Sequence, residues 1–245
     1  MFFSDKTSEA DSKMSAFFLP GDHMTFGDIP VKISYSKRRT LSMKFDMTGT
    51  LLVNAPKGIS EEQVRAFLNE KSRWIRTNYV RTMAKYEKSR DLKVEDGGKV
   101  LYLGEELNVH IGGHGRIRKN GSDIFFPEGA DNASYAGWLK ARAKEYLPVR
   151  LQNKAWEMGI SYRELKITGA RSKWGSCSET GKITLSWHLC MCPPAAIDYV
   201  IIHELCHRLH MDHSAEFWAE VECRKPDYKK QKKWLDDNSY LMDIV

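Results

Sequence analysis

The sequence predicts an α+β chain, strand-rich at first and helix-rich last. Three observations carry that prediction. Apolar and polar residues alternate in several short runs between positions 31 and 53 and again between 100 and 126, as half-buried strands require. From Asp131 the apolar spacing changes to the three-and-four rhythm of a helix. Pro193 and Pro194 then open a second stretch of that rhythm, at the position where a helix tolerates a missing N–H.

The 245 residues, 42% apolar and 29% charged, suffice for a real hydrophobic core and exclude a disordered or collagen-like chain. No apolar run approaches the ~20 residues of a membrane helix, because Ser186, His188, two prolines and Asp198 interrupt the greasiest stretch. The start lacks a basic segment followed by an apolar one, so no secretory signal is expected. Five cysteines without framework spacing suit a reducing compartment, and a cytoplasmic protein is expected. Lys plus Arg, 38, exceed Asp plus Glu, 32, by 6; this fits an anionic substrate or nucleic acid without deciding for either.

In chain order, residues 1–27 show no period and read as a flexible tail. Residues 31–35, 41–45 and 51–53 read as short antiparallel strands, with a turn at Thr48-Gly49. Ser60 and Gln63 form a capping-box pair, after which Val64, Phe67, Leu68, Ile75 and Tyr79 recur at helical spacing. Residues 87–96, highly charged and followed by Gly97-Gly98, are the expected break. Strands follow at 100–103 and 107–111, with a hairpin at Asn120-Gly121, the preferred pair for a primed turn. Tyr135, Trp138, Leu139, Ala143 and Tyr146 share a helix face; residues 165–168 and 183–187 read as strands. The expected division is tail 1–27, strand-rich part 28–130 and metal-binding part 131–245.

The chemistry concentrates in His203-Glu204-Leu205-Cys206-His207. Residues four apart lie on one helix face, so both imidazoles can address one ion. Zinc accepts imidazole nitrogen, and Glu204, one position past the first ligand, suits a general base rather than a ligand. A catalytic zinc needs a third protein ligand and keeps one position for water. On a straight helix His210 would stand about 10 Å along the axis from His203, too far for one ion. The chain must therefore turn back, which favours His213. The spacing His203-x3-His207-x5-His213 matches the H-E-x-x-H-x-x-G-x-x-H arrangement, with His210 at the glycine position. His210 and Asp212 are candidates to support the ligands from behind. Cys190 and Cys192 read as core residues, and His188 as a strand-end residue without partners.

Several separated motifs now agree. Arg171-Ser-Lys-Trp174-Gly175-Ser176-Cys177-Ser178, the alternating run 183–187, Pro193-Pro194, the Tyr199 to His207 stretch, His213 through Trp218 and Pro226-Asp227-Tyr228 occur in order. Together they resemble the YgjP-like family of metal-dependent hydrolases, related to WLM and SprT-like zincins. Lys37-Arg38-Arg39 and Lys71-x-x-Trp74-Ile75 are similar to that family's N-terminal part, so the likeness spans residues 28–240 as one unit. It implies a zincin-like, metallopeptidase-type catalytic part with zinc, one per chain, on His203, His207 and His213, and with Glu204 as catalytic base.

The substrate divides into two expectations. The resemblance implies zinc-dependent hydrolysis of a nucleoside triphosphate such as UTP, to monophosphate and pyrophosphate, with Mg2+ or another divalent ion accompanying the nucleotide. The alternative is a zinc metallopeptidase, in which the run 183–187 serves as a sheet edge for an extended peptide. Arg171, Lys173, Trp174 and Ser176, with Arg38 and Arg39, are the candidate substrate contacts, since Arg and Lys grip phosphate oxygens and Trp174 offers a stacking face. The lysines at 229, 230, 232 and 233 read as a solvated face. A nucleic-acid-associated protein with a structural metal is the least favoured reading, because such a site needs no Glu204. No membrane partner is expected.

Overall fold

The computed structural model describes residues 16–18 and 24–244. They divide into two compact units, the first ending at Glu87 and the second beginning at Lys88.

The first unit is a five-stranded sheet with two helices. Its strands are β1 (Ala16–Phe18), β2 (Met24–Phe26), β3 (Ile29–Ser36), β4 (Ser42–Phe45) and β5 (Leu51–Pro56), in the order β1-β2-β3-β5-β4. Residues 1–15 and 19–23 of the stretch read as a tail lie outside the described residues. Its remainder supplies β1 and β2, and in β2 Met24 and Phe26 are buried around one Thr, a run too short for periodicity to register. The antiparallel expectation needs correction at β3, which pairs β5 in parallel because β4 crosses to the outer edge of β5. At the β4–β5 turn Gly49 has φ +86°, and an added Cβ would lie 2.7 Å from the Met83 sulfur, so glycine is required there twice over.

Helix α1 (Glu61–Glu70) starts with the expected capping box: Gln63 N–H donates to Ser60 Oγ, and Ser60 N–H donates to Gln63 Oε1. The helical run does not continue unbroken; it is interrupted at Lys71 before α2 (Ser72–Arg90). Val64, Leu68 and Ile75 from these helices close the core over Phe26, Val31, Leu51 and Val53.

The second unit carries the candidate site. Strands β6 (Lys99–Tyr102), β7 (Glu105–Ile111), β8 (Arg118–Asn120) and β9 (Asp123–Phe126) form a sheet in the order β6-β7-β9-β8. Gly121, φ +58°, makes the β8–β9 turn as expected. Helix α3 (Asn132–Met158) is about 40 Å long at 1.5 Å per residue, and Asp131 caps it by accepting the Ser134 N–H.

A second sheet joins β10 (Glu164–Thr168), β11 (Gly175–Cys177) and β12 (Lys182–Ser186) in the order β10-β12-β11. This corrects the expectation that the run 183–187 is an edge: β12 is the central strand, and the short β11 is an edge. Trp187 leaves the strand and begins a single 3-10 segment, Trp187–Met191. His188 within it is buried and shares a hydrogen bond with Ser186 Oγ at 2.8 Å, so it has the partner the sequence did not suggest. Cys190 and Cys192 are buried thiols, as expected.

Helix α4 (Pro194–Cys206) follows, buried on nearly every side; α5 (Ala215–Arg224) and α6 (Tyr228–Asp237) pack against it. Arg150 on α3 holds α4 through two bonds to Asp198, Nε–Oδ1 at 2.5 Å and Nη2–Oδ2 at 2.7 Å. A bidentate pair of this kind fixes orientation as well as distance. Helix α4 is thus anchored near its N-terminal end before it presents its histidines.

Candidate active site

The last turn of α4 sets His203 and His207 side by side, with ring centroids 4.9 Å apart. At His207 the helix ends, and the Arg208 and Leu209 N–H groups bond back to Leu205 and Cys206 C=O in tight turns. The chain reverses, and Ser214 then caps α5 by accepting the Phe217 N–H. The reversal delivers His213 Nε2 to 3.2 Å from His203 Nε2. One ligand-type atom from each of His203, His207 and His213 lies within 4.8 Å of the others. Nitrogens placed tetrahedrally around zinc at 2.0–2.1 Å stand about 3.3 Å apart, so the donor set fits zinc.

The protonation chemistry agrees. His207 Nδ1 lies 3.0 Å from the His210 carbonyl oxygen, to which it can donate only as Nδ1–H; that tautomer leaves Nε2 as a lone-pair donor. Burial and the neighbouring His207 and His213 push His203 down to about 3, so its ring is neutral. Burial also lowers His207. His210 supports the cluster through its backbone carbonyl, not its imidazole. Among the described residues Leu103 alone combines a side chain with positive φ, so His210 needs no left-handed backbone and replaces glycine without strain. Asp212 is exposed and accepts the Ser214 N–H at 3.2 Å, which shapes the turn rather than bonding a ligand ring.

An aromatic bed lies against the cluster. The buried Phe217 ring is 4.6–4.9 Å from all three imidazoles, and Trp218 lies 5.8 Å from His203 and 5.7 Å from His213. Tyr199 meets His203 edge-on at 5.9 Å, and Tyr228 stacks on both Tyr199 and Trp218. The sequence reading did not single out Phe217 or Tyr199 as site residues. The available signal was spacing: Tyr199 precedes His203 by four residues, and Phe217 follows His213 by four.

Glu204 is buried, and its side chain lies over β11. A Cβ built at Gly175 would stand 2.7 Å from Glu204 Oε1 and 2.9 Å from its Cγ. The φ of Gly175 is not in the left-handed region, so this glycine answers to close approach alone. Burial raises the Glu204 carboxyl to about 8, opposed by the positive charge of Lys173 and by a hydrogen bond from the Cys177 N–H. A carboxyl so placed is poised between holding and releasing a proton.

A family described as YgjP-like, metallopeptidase domain, matches residues 39–238. The chain belongs to the YgjP-like family. Among solved structures, the crystal structure of the metallopeptidase zymogen of Pyrococcus abyssi abylysin is similar, at 24% identity over 36% of this chain and 90% of that one, with a TM-score of 0.34. So partial a superposition adds nothing to the family match. No curated protein matches the sequence.

Membership makes the YgjP-like chain a metallopeptidase-type hydrolase, and it favours the peptidase alternative over the nucleotide expectation. Neither UTP hydrolysis nor an accompanying Mg2+ gains support from it. No described helix is long and apolar enough to cross a membrane. Of the candidate substrate contacts, Lys173 is exposed yet its charge is felt by Glu204. Arg171 is exposed in the same loop, Trp174 and Ser176 are half-buried, and Ser176 pairs with Thr184 across the sheet. Arg38 and Arg39 lie on the β3–β4 loop of the first unit.

Proposed function

We propose that this protein is a zinc metallopeptidase that cleaves peptide bonds, with His203, His207 and His213 holding the metal and Glu204 as general base. The observation that supports this reading is the pairing of a three-imidazole cluster, at zinc-like separation, with a buried carboxyl on the same helix turn. When bound, zinc supplies a Lewis acid and brings the pKa of water near 7. Glu204 accepts a proton from the attacking water on its carboxylate and returns it to the leaving amine. Burial keeps His203 and His207 neutral, the His210 carbonyl fixes the His207 tautomer, and Phe217 packs against the rings.

β11 suits an extended peptide. Ser186 N–H donates to Trp174 C=O and Ser178 N–H to Lys182 C=O, so alternate residues 174, 176 and 178 face β12. The backbone groups of Gly175 and Cys177 therefore face away from it, beside Glu204, where a substrate backbone can pair with them.

The test is a substrate panel, with an unfolded protein and nucleoside triphosphates as its two arms, run with and without a chelator. Chelator-sensitive release of peptides, lost in Glu204→Gln with zinc retained, is the expected result. Pyrophosphate release without peptide cleavage would overturn the proposal.

A further inference from the structure

Helix α3 carries apolar surface that its own chain leaves in water. Trp156 is 84% exposed, the most of any large apolar side chain among the described residues, and Val149, two turns earlier, is 59% exposed. No described ring or cation stacks on Trp156. An indole is among the largest apolar groups a protein can bury, so one left standing on a rigid helix suits a contact with another molecule.

The same helix borders a hollow that an indole can enter. A cavity of about 360 Å³ opens beside α3, with Tyr102, Tyr146, Val149 and Asn153 among its lining. On α3 its lining positions 142, 145, 146, 149 and 153 recur at helical intervals, and Trp156 continues that stripe by one step. Knob and hollow therefore share one helix face. From the middle of the lining, near position 148, to Trp156 is about 12 Å along the axis at 1.5 Å per residue. A helical side chain covers only the turn before its own Cα, so Trp156 does not fill the hollow of its own chain.

A two-fold axis crossing α3 at Gln152 brings them together. Two copies of the helix then run antiparallel, and position 156 of each faces position 148 of the other. Both indoles meet both hollows, which is the self-complementarity that a closed dimer requires. At the axis Gln152 and Asn153 carry amides that donate and accept, so identical side chains can bond across it. The flanking charges are already paired within the chain: Arg142 with Glu145 at 2.9 Å, Lys154 with Glu157 at 2.6 Å and Arg150 with Asp198 at 2.5 Å. Closing this face strands no charge without a partner.

We propose that this protein forms a two-fold dimer through α3, the Trp156 indole of each copy seated against Tyr102, Tyr146 and Val149 of the other. A strip one helix wide stands at the small end of specific interfaces, so the dimer assembles in the micromolar range. Arg150 lines the hollow and holds Asp198 of α4, so the incoming indole also covers the pair that anchors that helix.

The test is sedimentation velocity on the full chain. The parent shifts from monomer to dimer as its concentration rises from about 1 to 200 μM. Trp156→Ala removes an exposed side chain, keeps the circular dichroism of the parent and weakens dimerisation at least about tenfold. Val149→Arg, which places a charge in the hollow, does the same. Mixed together, the two variants form a heterodimer stronger than either alone and weaker than the parent, because the Val149→Arg chain offers its indole to the intact hollow of the Trp156→Ala chain. A chelator leaves the parent dimer in place, which separates it from the histidine cluster. The proposal is overturned if the parent stays monomeric across that range, if either variant dimerises as the parent does, or if the mixture gains nothing over its components.

Discussion

Glu204→Gln should stabilise the metal-free protein while abolishing hydrolysis. Burial raises the carboxyl from its ordinary 4.5 to about 8 in the folded state. Because the folded pKa is raised, the group's contribution is fully favourable below pH 4.5 and is lost progressively as pH rises towards 8. Each unit of that window is worth 1.36 kcal/mol, so at pH 7 the wild-type fold bears a penalty of about 3 kcal/mol relative to acid. Glutamine has the same shape and no titration, so the variant lacks that slope. Urea melts of chelated wild type and variant, taken at intervals from pH 5 to 8, measure it directly. The variant should gain on the wild type steadily across that range, by about 3 kcal/mol between acid and neutral pH. Added zinc should narrow the gap, since a nearby dication favours the carboxylate. If the two proteins keep a constant difference from pH 5 to 8 without metal, the reasoning about Glu204 is refuted.

Two further predictions bear on the same centre. His213→Ala should lower bound zinc from about one per chain to near zero, whereas His210→Ala should retain it, because position 210 contributes its carbonyl; metal analysis of the two purified variants decides, and the reverse pattern would move the third ligand to His210. Gly175→Ala should cost about 1–3 kcal/mol by overpacking and reduce turnover about 10²-fold with zinc retained, since the new methyl must displace Glu204 or Val200; an unaltered rate in a chelator-sensitive assay would contradict that contact.

Much of the site could be read in the sequence because its signals are local. A histidine pair four apart and a proline pair at a helix start each follow from one turn of backbone geometry. The return of His213 to the pair was legible too, since a straight helix would carry His210 about 10 Å along the axis from His203. What the sequence hid is set by partners distant in the chain. Parallel pairing of β3 with β5 leaves the same period-two pattern as antiparallel pairing, so alternation cannot distinguish them. β11 is three residues of Gly, Ser and Cys with no alternation to detect, and the need for Gly175 comes from Glu204, 29 positions further on. His210 stands where the H-E-x-x-H-x-x-G-x-x-H arrangement has glycine, yet the backbone there avoids positive φ, a property no single residue type announces.

The position of β11 has a mechanistic consequence. The Cys177 N–H faces away from β12 and donates to the Glu204 carboxylate, a bond that holds the carboxyl below the pKa burial alone would give it. An extended peptide that pairs along this edge competes for the same N–H, and taking it leaves Glu204 a stronger base when the substrate is in place. Cys177→Pro isolates that N–H, because an outward-facing N–H on an edge strand can be removed without breaking a ladder bond. The variant should fold and keep its zinc, yet lose at least about tenfold in kcat/KM towards extended peptides through the missing backbone contact. Full peptidase activity in a correctly folded, zinc-loaded Cys177→Pro protein would remove β11 from substrate binding and leave the Glu204 bond a matter of the resting state alone.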